Sequence, residues 1–217
     1  MQVAACTVDA LVFADRVAAT AAETITDADA FARLAGEWNE AVDRAGISHP
    51  FMRHEWLLTW WECFGAASRL HIVVVRSGGR IVAIAPFVAE TARMYGMPVR
   101  RLRLMHNDHT PRIDFVVTGG RDADREEAYR AIWAALGASD AWDVLQLGQL
   151  TADSPTHQWM TRLAHDDGCT TGIWRSSDSP YLPIAGTWDA FEKELPAKFR
   201  SNLRNRMARL RKIGEPY

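Results

Sequence analysis

Two apolar, β-branched runs, Leu70–Val75 and Ile81–Val88, flank the segment Arg76-Ser77-Gly78-Gly79-Arg80. This pairing constrains the fold more than any other feature of the chain. Paired glycines accept the positive φ angles of a tight reversal, so the segment predicts a β-hairpin. A sheet built on such a hairpin must be layered with helices, and the flanking sequence supplies them.

Before the hairpin, Phe31, Leu34, Trp38, Val42 and Ala45 recur at helical spacing, with Thr26 and Asp29 as a capping box and Gly46 as the stop. A turn at Ser48-His49-Pro50 leads to a second helix carrying Trp56, Trp60 and Phe64 and ending at Gly65. After the hairpin, Val99–Met105 alternates apolar residues with Arg, and Ile113–Thr118 reads as a short strand. A helix over 121–136, a strand at Trp142–Leu147, a helix from Ser154-Pro155 to Asp166 closed by Gly168, and a strand at Thr170–Arg175 follow. Short helices around 187–194 and 198–212 complete the order. Hairpins first and β–α–β crossovers later predict a mixed α/β sheet flanked by helices, antiparallel early and parallel late. The expected organisation is a poorly specified leader over 1–24, one domain over 25–178, and a linker with a basic helix over 179–217.

Charge is unevenly spread. Lys198, Arg200, Arg204, Arg206, Arg209, Arg211 and Lys212 stand together without an acid, and removing these seven leaves 18 basic against 27 acidic residues, a body at −9. A general nucleic-acid binder carries a broad basic surface, so nucleic acid is not the expected partner. The cluster points to a local anion site at Lys198, Arg200 and Arg204, or to a solvated helix. Phe199, Leu203, Met207, Leu210 and Ile213 draw an apolar stripe along the same helix, which a partner or a second copy would cover. Cys6, Cys63 and Cys169 are odd in number and far apart, as expected of buried or idle thiols in a reducing compartment. Acids interrupt the apolar N-terminal stretch and no apolar run reaches membrane-spanning length, so the expectation is a cytoplasmic protein without a membrane span.

The second candidate site is the loop His106-Asn107-Asp108-His109, continued by Arg112 and Asp114. Loops held by a sheet concentrate binding groups, and a His–Asp pair can work as a general base. His-x-x-His alone is a weak metal pair, and no metal is expected. The plain alternative is a polar turn. The row Trp56, Trp60, Trp61 reads as core before it reads as a sugar-stacking wall. Ser179-Pro180-Tyr181 reads as a strand-entry turn. No nucleophile triad has a local signature, and no residue stands out as the catalyst.

Taken in order, Trp38; Pro50-Phe51; Glu55-Trp56-Leu57; Trp60-Trp61; Phe64-Gly65; Ala85-Pro86-Phe87; Arg101-Leu102-Arg103-Leu104; Asp114-Phe115; Trp142-Asp143-Val144-Leu145; Ser154-Pro155; Ser179-Pro180-Tyr181-Leu182; Trp188; and Lys198-Phe199-Arg200-Ser201-Asn202-Leu203-Arg204 resemble the CelD-like proteins of cellulose and exopolysaccharide production. These are bacterial acetyltransferases of tandem GNAT-type fold, distantly related to the FemAB transferases, and the likeness covers about residues 26–213. It implies a GNAT-like sheet and transfer of an acetyl group from acetyl-CoA to an amine or hydroxyl, on a small-molecule or nucleotide-sugar acceptor. It also implies that this chain is an N-terminal half, with acetyl-CoA held mainly by a second half. The GNAT pyrophosphate signature, Gln/Arg-x-x-Gly-x-Gly/Ala, is missing; Arg93-x-x-Gly96-x-Pro98 and Arg211-x-x-Gly214-x-Pro216 are near misses in which Pro removes a needed N–H. The alternative is a non-catalytic binding or scaffolding module of the same fold. An aminoacyl-tRNA donor, as in FemAB relatives, would need basic surface outside 198–212.

Overall fold

In the computed structural model, which describes residues 20–176, 178, 180, 182 and 185–214, the glycine pair reverses the chain as expected: Gly78 and Gly79 sit at φ 58° and 79°. Strand β2 (Arg69–Ser77) pairs antiparallel with β3 (Arg80–Met94). The expected end of the second strand at Val88 falls short. β3 continues to Met94, where Tyr95 (φ 50°) and Gly96 (φ 82°) form a second tight turn into β4 (Met97–Leu104). The polar Glu90-Thr91 and Arg93 hid this continuation, because that end of the strand is no longer buried on both faces.

Strand β1 (Thr20–Ile25) lies in the stretch expected to be leader and pairs antiparallel with β2. Helices α1 (Ala28–Arg33) and α2 (Ala35–Arg44) follow, split at Leu34, whose N–H bonds Phe31 O at 3.0 Å. The cap is Asp27, which accepts from Ala30 N at 2.7 Å, and not the Thr26–Asp29 box: the chain leaves β1 one residue later than that box requires. Gly46 at φ 70° closes α2 with Ile47 N→Val42 O and Gly46 N→Asp43 O bonds, a left-handed C-terminal stop. Helix α3 (His54–Phe64) ends against Gly65, where a Cβ would stand 2.3 Å from Trp61 Cε3. Trp60 is buried, while Trp56 and Trp61 are partly buried against the core.

Past β4 the chain crosses to β5 (Val116–Val117), α4 (Asp122–Gly137), β6 (Val144–Gln146) and α5 (Pro155–Asp166). The sheet runs β1-β2-β3-β4-β6, with β5 on β3; among the described residues only β4 and β6 pair in parallel, Arg101↔Val144 to Arg103↔Gln146. This is a mixed α/β sheet flanked by helices, antiparallel first and parallel last. One edge of β3 is shared: Ala83 and Ile84 pair with β5, whereas Phe87 to Met94 pair with β4. Pro86 stands at the fork. It has no N–H to offer the ladder, and its carbonyl takes Met105 N at 3.0 Å.

Helix α4 contacts β1, β2 and β3, and α2 contacts β3 and β5. Consecutive burial of Leu70 to Val75 shows both faces of the sheet covered. Phe87, Phe115, Tyr129 and Trp159 form a chain of ring contacts reaching from β3 to α5. Burial pushes the Tyr129 hydroxyl up to about 12 against its bond to Thr156 Oγ1 at 2.9 Å. The expected strand at Thr170–Arg175 does not form: the segment is exposed, with Ile173 and Trp174 in solvent, and joins no strand edge among the described residues. Cys63 and Cys169 are unbonded and exposed, not buried; Cys6 and the rest of residues 1–19 lie outside the described residues.

The chain divides into two compact units, Met1–Ser176 and Ser177–Tyr217. The second contains α6 (Trp188–Glu194), capped by Thr187, and α7 (Ala197–Arg211). Of the turn Ser179-Pro180-Tyr181, Ser179 and Tyr181 fall outside the described residues.

Trp38, fully buried, donates Nε1–H to Met52 O at 2.8 Å and packs on Phe31 and His54. Trp38→Phe keeps most of the packing but orphans that carbonyl. It is expected to lower stability by about 1–3 kcal/mol, read as a lower urea midpoint at unchanged slope.

Candidate functional site at the carboxyl ends of β4 and β6

Because β4 and β6 are parallel, the loops that leave them, 105–115 and 147–154, emerge at the same end of the sheet. In open sheets such carboxyl ends are where crevices form. Met105 is tied to Pro86 O, and Arg103 Nη1 holds His106 O at 3.0 Å. Asn107 Oδ1 accepts from His109 N at 3.0 Å and Asn107 O from Thr110 N at 2.9 Å, a side-chain-closed turn. Thr110, fully buried, accepts from Trp56 Nε1 at 3.0 Å, which pins the loop to α3. Phe64 stacks on His109 with ring centroids 5.7 Å apart. Asp114 Oδ1 accepts from Phe115 N at 2.7 Å, leaving its other oxygen for a ligand.

His106 does not stand in the open as a solvent-facing base. Its two ring nitrogens are shut off from solvent and have no hydrogen-bond partner among the described residues. The ring lies against Gly148, where a Cβ would come within 2.6 Å of Nε2. Burial, and then Arg103 and Arg101, hold this imidazole below its usual range, against the pull of Asp108 and Glu90. It acts as a wedge between the diverging strand ends. Beside it, Glu90 bonds Arg101 and Arg103, and Arg103 lies 5.5 Å over the Trp60 ring. Burial raises the Glu90 carboxyl, but those two guanidinium bonds outweigh it and keep the group ionised.

The loops border a shallow, half-open cavity of about 120 Å³ lined by His49, Arg112, Ile113, Asp114, Thr151 and Asp153. Arg112 and Asp114 belong to the sequence-derived set; His49, Thr151 and Asp153 do not. His49 sat in a segment that reads only as a turn, and the other two follow a strand with no polar motif. The parallel pairing of β6 on β4 brings Thr151 and Asp153 to Arg112, and the turn ahead of α3 brings His49. His49 Nδ1 is buried with no partner among the described residues, and burial and then Arg112 lower its pKa against Asp114. A hydrogen bond from Thr151 lowers the Asp153 carboxyl. A larger open cleft of about 350 Å³ lies by Ser68, Arg69, Glu90, Thr91 and Arg100, but Arg100 is engaged by Asp143, whose carboxyl it holds down at about 2.

Lys198, Arg200 and Arg204 stand on α7 in the other unit. Arg200 donates to Lys193 O at 2.6 Å and Arg204 to Glu192 Oε1 at 2.9 Å, so two of the three are already engaged by α6.

A GNAT-type donor would place its pyrophosphate at a helix N-terminus after the central strands. The N-terminus of α4 does not suit that group: Asp122 and Asp124 occupy the first turn, paired with Arg125 and Arg121. Carboxylates there already satisfy the helix dipole and repel phosphate.

No protein-family model matches the sequence, and no curated protein does either. Solved structures with a similar course include an aminoglycoside N-acetyltransferase in complex with CoA, with 13% identity, 77% of this chain and 99% of that one covered, and a TM-score of 0.46. A ribosomal-protein-alanine N-acetyltransferase from Brucella melitensis biovar Abortus is similar at 11% identity, 75% and 99% coverage and TM-score 0.43. A GNAT family acetyltransferase from Staphylococcus aureus is similar at 10%, with 76% and 98% covered and TM-score 0.39. At these TM-scores the likeness assigns neither family, site nor substrate.

Burial lowers the pKa of His106, His49 and His71. The unfolded chain therefore takes up protons below about pH 6.5 that the folded chain refuses, and stability is expected to fall as pH drops through that value. Urea unfolding at pH 7.5 and pH 5 checks this, and His106→Leu is expected to flatten the dependence.

Proposed function

We propose that this protein serves acyl transfer and that the cavity at the carboxyl ends of β4 and β6 receives the amine or hydroxyl of the acceptor. The observation that carries this reading is the convergence of His49, Arg112, Asp114 and Asp153 on a cavity of about 120 Å³. Whole ligands fill roughly 300–1,000 Å³, so a space this small suits one reactive group of a larger molecule. His49, kept neutral by burial and Arg112, is the one imidazole lining it, and a neutral imidazole can take the proton as the acceptor attacks a thioester. Asp114 and Asp153 supply acceptor oxygens for an amine or hydroxyl, and Arg112 a donor fork. The resemblance to CelD-like proteins supports the finer reading, a carbohydrate or nucleotide-sugar acceptor. The half-exposed Phe64 stacked on His109 offers a sugar ring an aromatic face beside the loop.

The carboxylates at the start of α4 favour a second reading. With that helix end filled, acetyl-CoA is bound elsewhere if at all, and the fold serves as a non-catalytic binding module for the same acceptor.

Incubation with acetyl-CoA and a panel of amino sugars, nucleotide sugars and amines tests the first reading. Release of free CoA above the no-acceptor control is expected, with His49→Gln lowering kcat by about 100-fold at unchanged melting temperature. Acceptor binding by calorimetry without any CoA release would establish the module instead.

A further inference from the structure

We propose that α7 is a docking surface for an anionic phospholipid bilayer, independent of acyl transfer. Within their own unit, helices α6 and α7 bury no residue fully, and Leu203 and Met207 of the stripe are half-buried. Phe199 and Leu210 are 57% and 51% exposed, Ile213 just past the helix is 86% exposed, and Trp188 on α6 is exposed as well. A short helix holds its shape mainly by burying an apolar face, so this unit lacks what normally stabilises one. What covers the face is constrained by charge. Seven cations and no acid stand between Lys198 and Lys212. Two copies meeting stripe to stripe would bring both sets of cations together, which disfavours a symmetric helix pair.

The placement of those cations selects a lipid surface. Phe199, Leu203, Met207 and Leu210 form the helical stripe. At helical spacing Arg200, Arg204 and Arg211 run along one border of it and Arg206 and Arg209 along the other, while Ala197, Ser201, Asn205 and Ala208 occupy the opposite face with Lys198 and Lys212. A helix lying in a membrane interface needs this arrangement: apolar side chains directed into the acyl boundary, and long basic stems reaching sideways to headgroup phosphates. A nucleic acid has no use for the stripe. The bonds of Arg200 and Arg204 to α6 leave Arg206 and Arg209 on the second border for the headgroups.

The full chain is sedimented with vesicles of phosphatidylcholine alone and with vesicles carrying about 30% phosphatidylglycerol; each basic side chain near such a surface contributes about fivefold in partitioning. Expected is at least tenfold stronger partitioning onto the anionic vesicles, lost at high salt, reduced at least tenfold by Arg206→Glu with Arg209→Glu, and reduced by Phe199→Ser with Ile213→Ser. Equal binding to neutral vesicles, no binding to anionic ones, or full retention by the charge-reversed variant overturns the proposal. So does light scattering that shows a dimer abolished by the Phe199→Ser, Ile213→Ser variant, which would assign the stripe to a second copy. The wild-type comparison of the two lipid compositions stands even where a variant fails to fold.

Discussion

Strand β3 carries two partners on one edge, and the rest of the first unit depends on that fork. Its N-terminal half is paired by β5 and its C-terminal half by β4. Pro86, which has no N–H to donate, stands where the two pairings part. The chain leaving β4 must therefore travel from one half of β3 to the other. That path is the 105–115 loop, and its length is what carries His106, Arg112 and Asp114 past the end of the sheet. The crossover through α4 then returns β6 parallel to β4, which sets the second loop beside the first.

The electrostatics of this end follow from the same geometry. Alternation along β4 turns Leu102 and Leu104 into the core and Arg101 and Arg103 outward, where Glu90 on the neighbouring strand lies between them. Two guanidinium groups on one carboxylate leave a net positive charge next to His106. With burial added, the imidazole stays neutral, so the wedge between the strand ends is an uncharged polar ring.

Much of this was legible in the residues. The Gly78-Gly79 reversal, the Gly46 and Gly168 stops, the Ser154-Pro155 start and the parallel ending of the sheet are all local or periodic signals, and each is expressed in the fold. The loop from His106 to Asp114 was recognisable because polar residues crowd between two apolar strands. What escaped was non-local. The strand expected over Thr170–Arg175 has suitable residues, but a strand exists only once it pairs, and this segment pairs with no edge among the described residues. His49 and Asp153 gave no sign of belonging with Arg112, since 63 and 41 residues separate them from it along the chain and only the fold brings them to one cavity.

By itself, then, the sequence determined the element types, the hairpin at the centre, the helices that cover it and the concentration of positive charge at 198–212. These are set by backbone preferences and by apolar periodicity, which act over a few residues. The tertiary structure decided which strand edges are shared, that His106 is a buried wedge while His49 lines the cavity, and that the start of α4 is filled by its own carboxylates. Those outcomes depend on the pairing of strand edges and on the desolvation that follows, and neither has a value until distant segments meet.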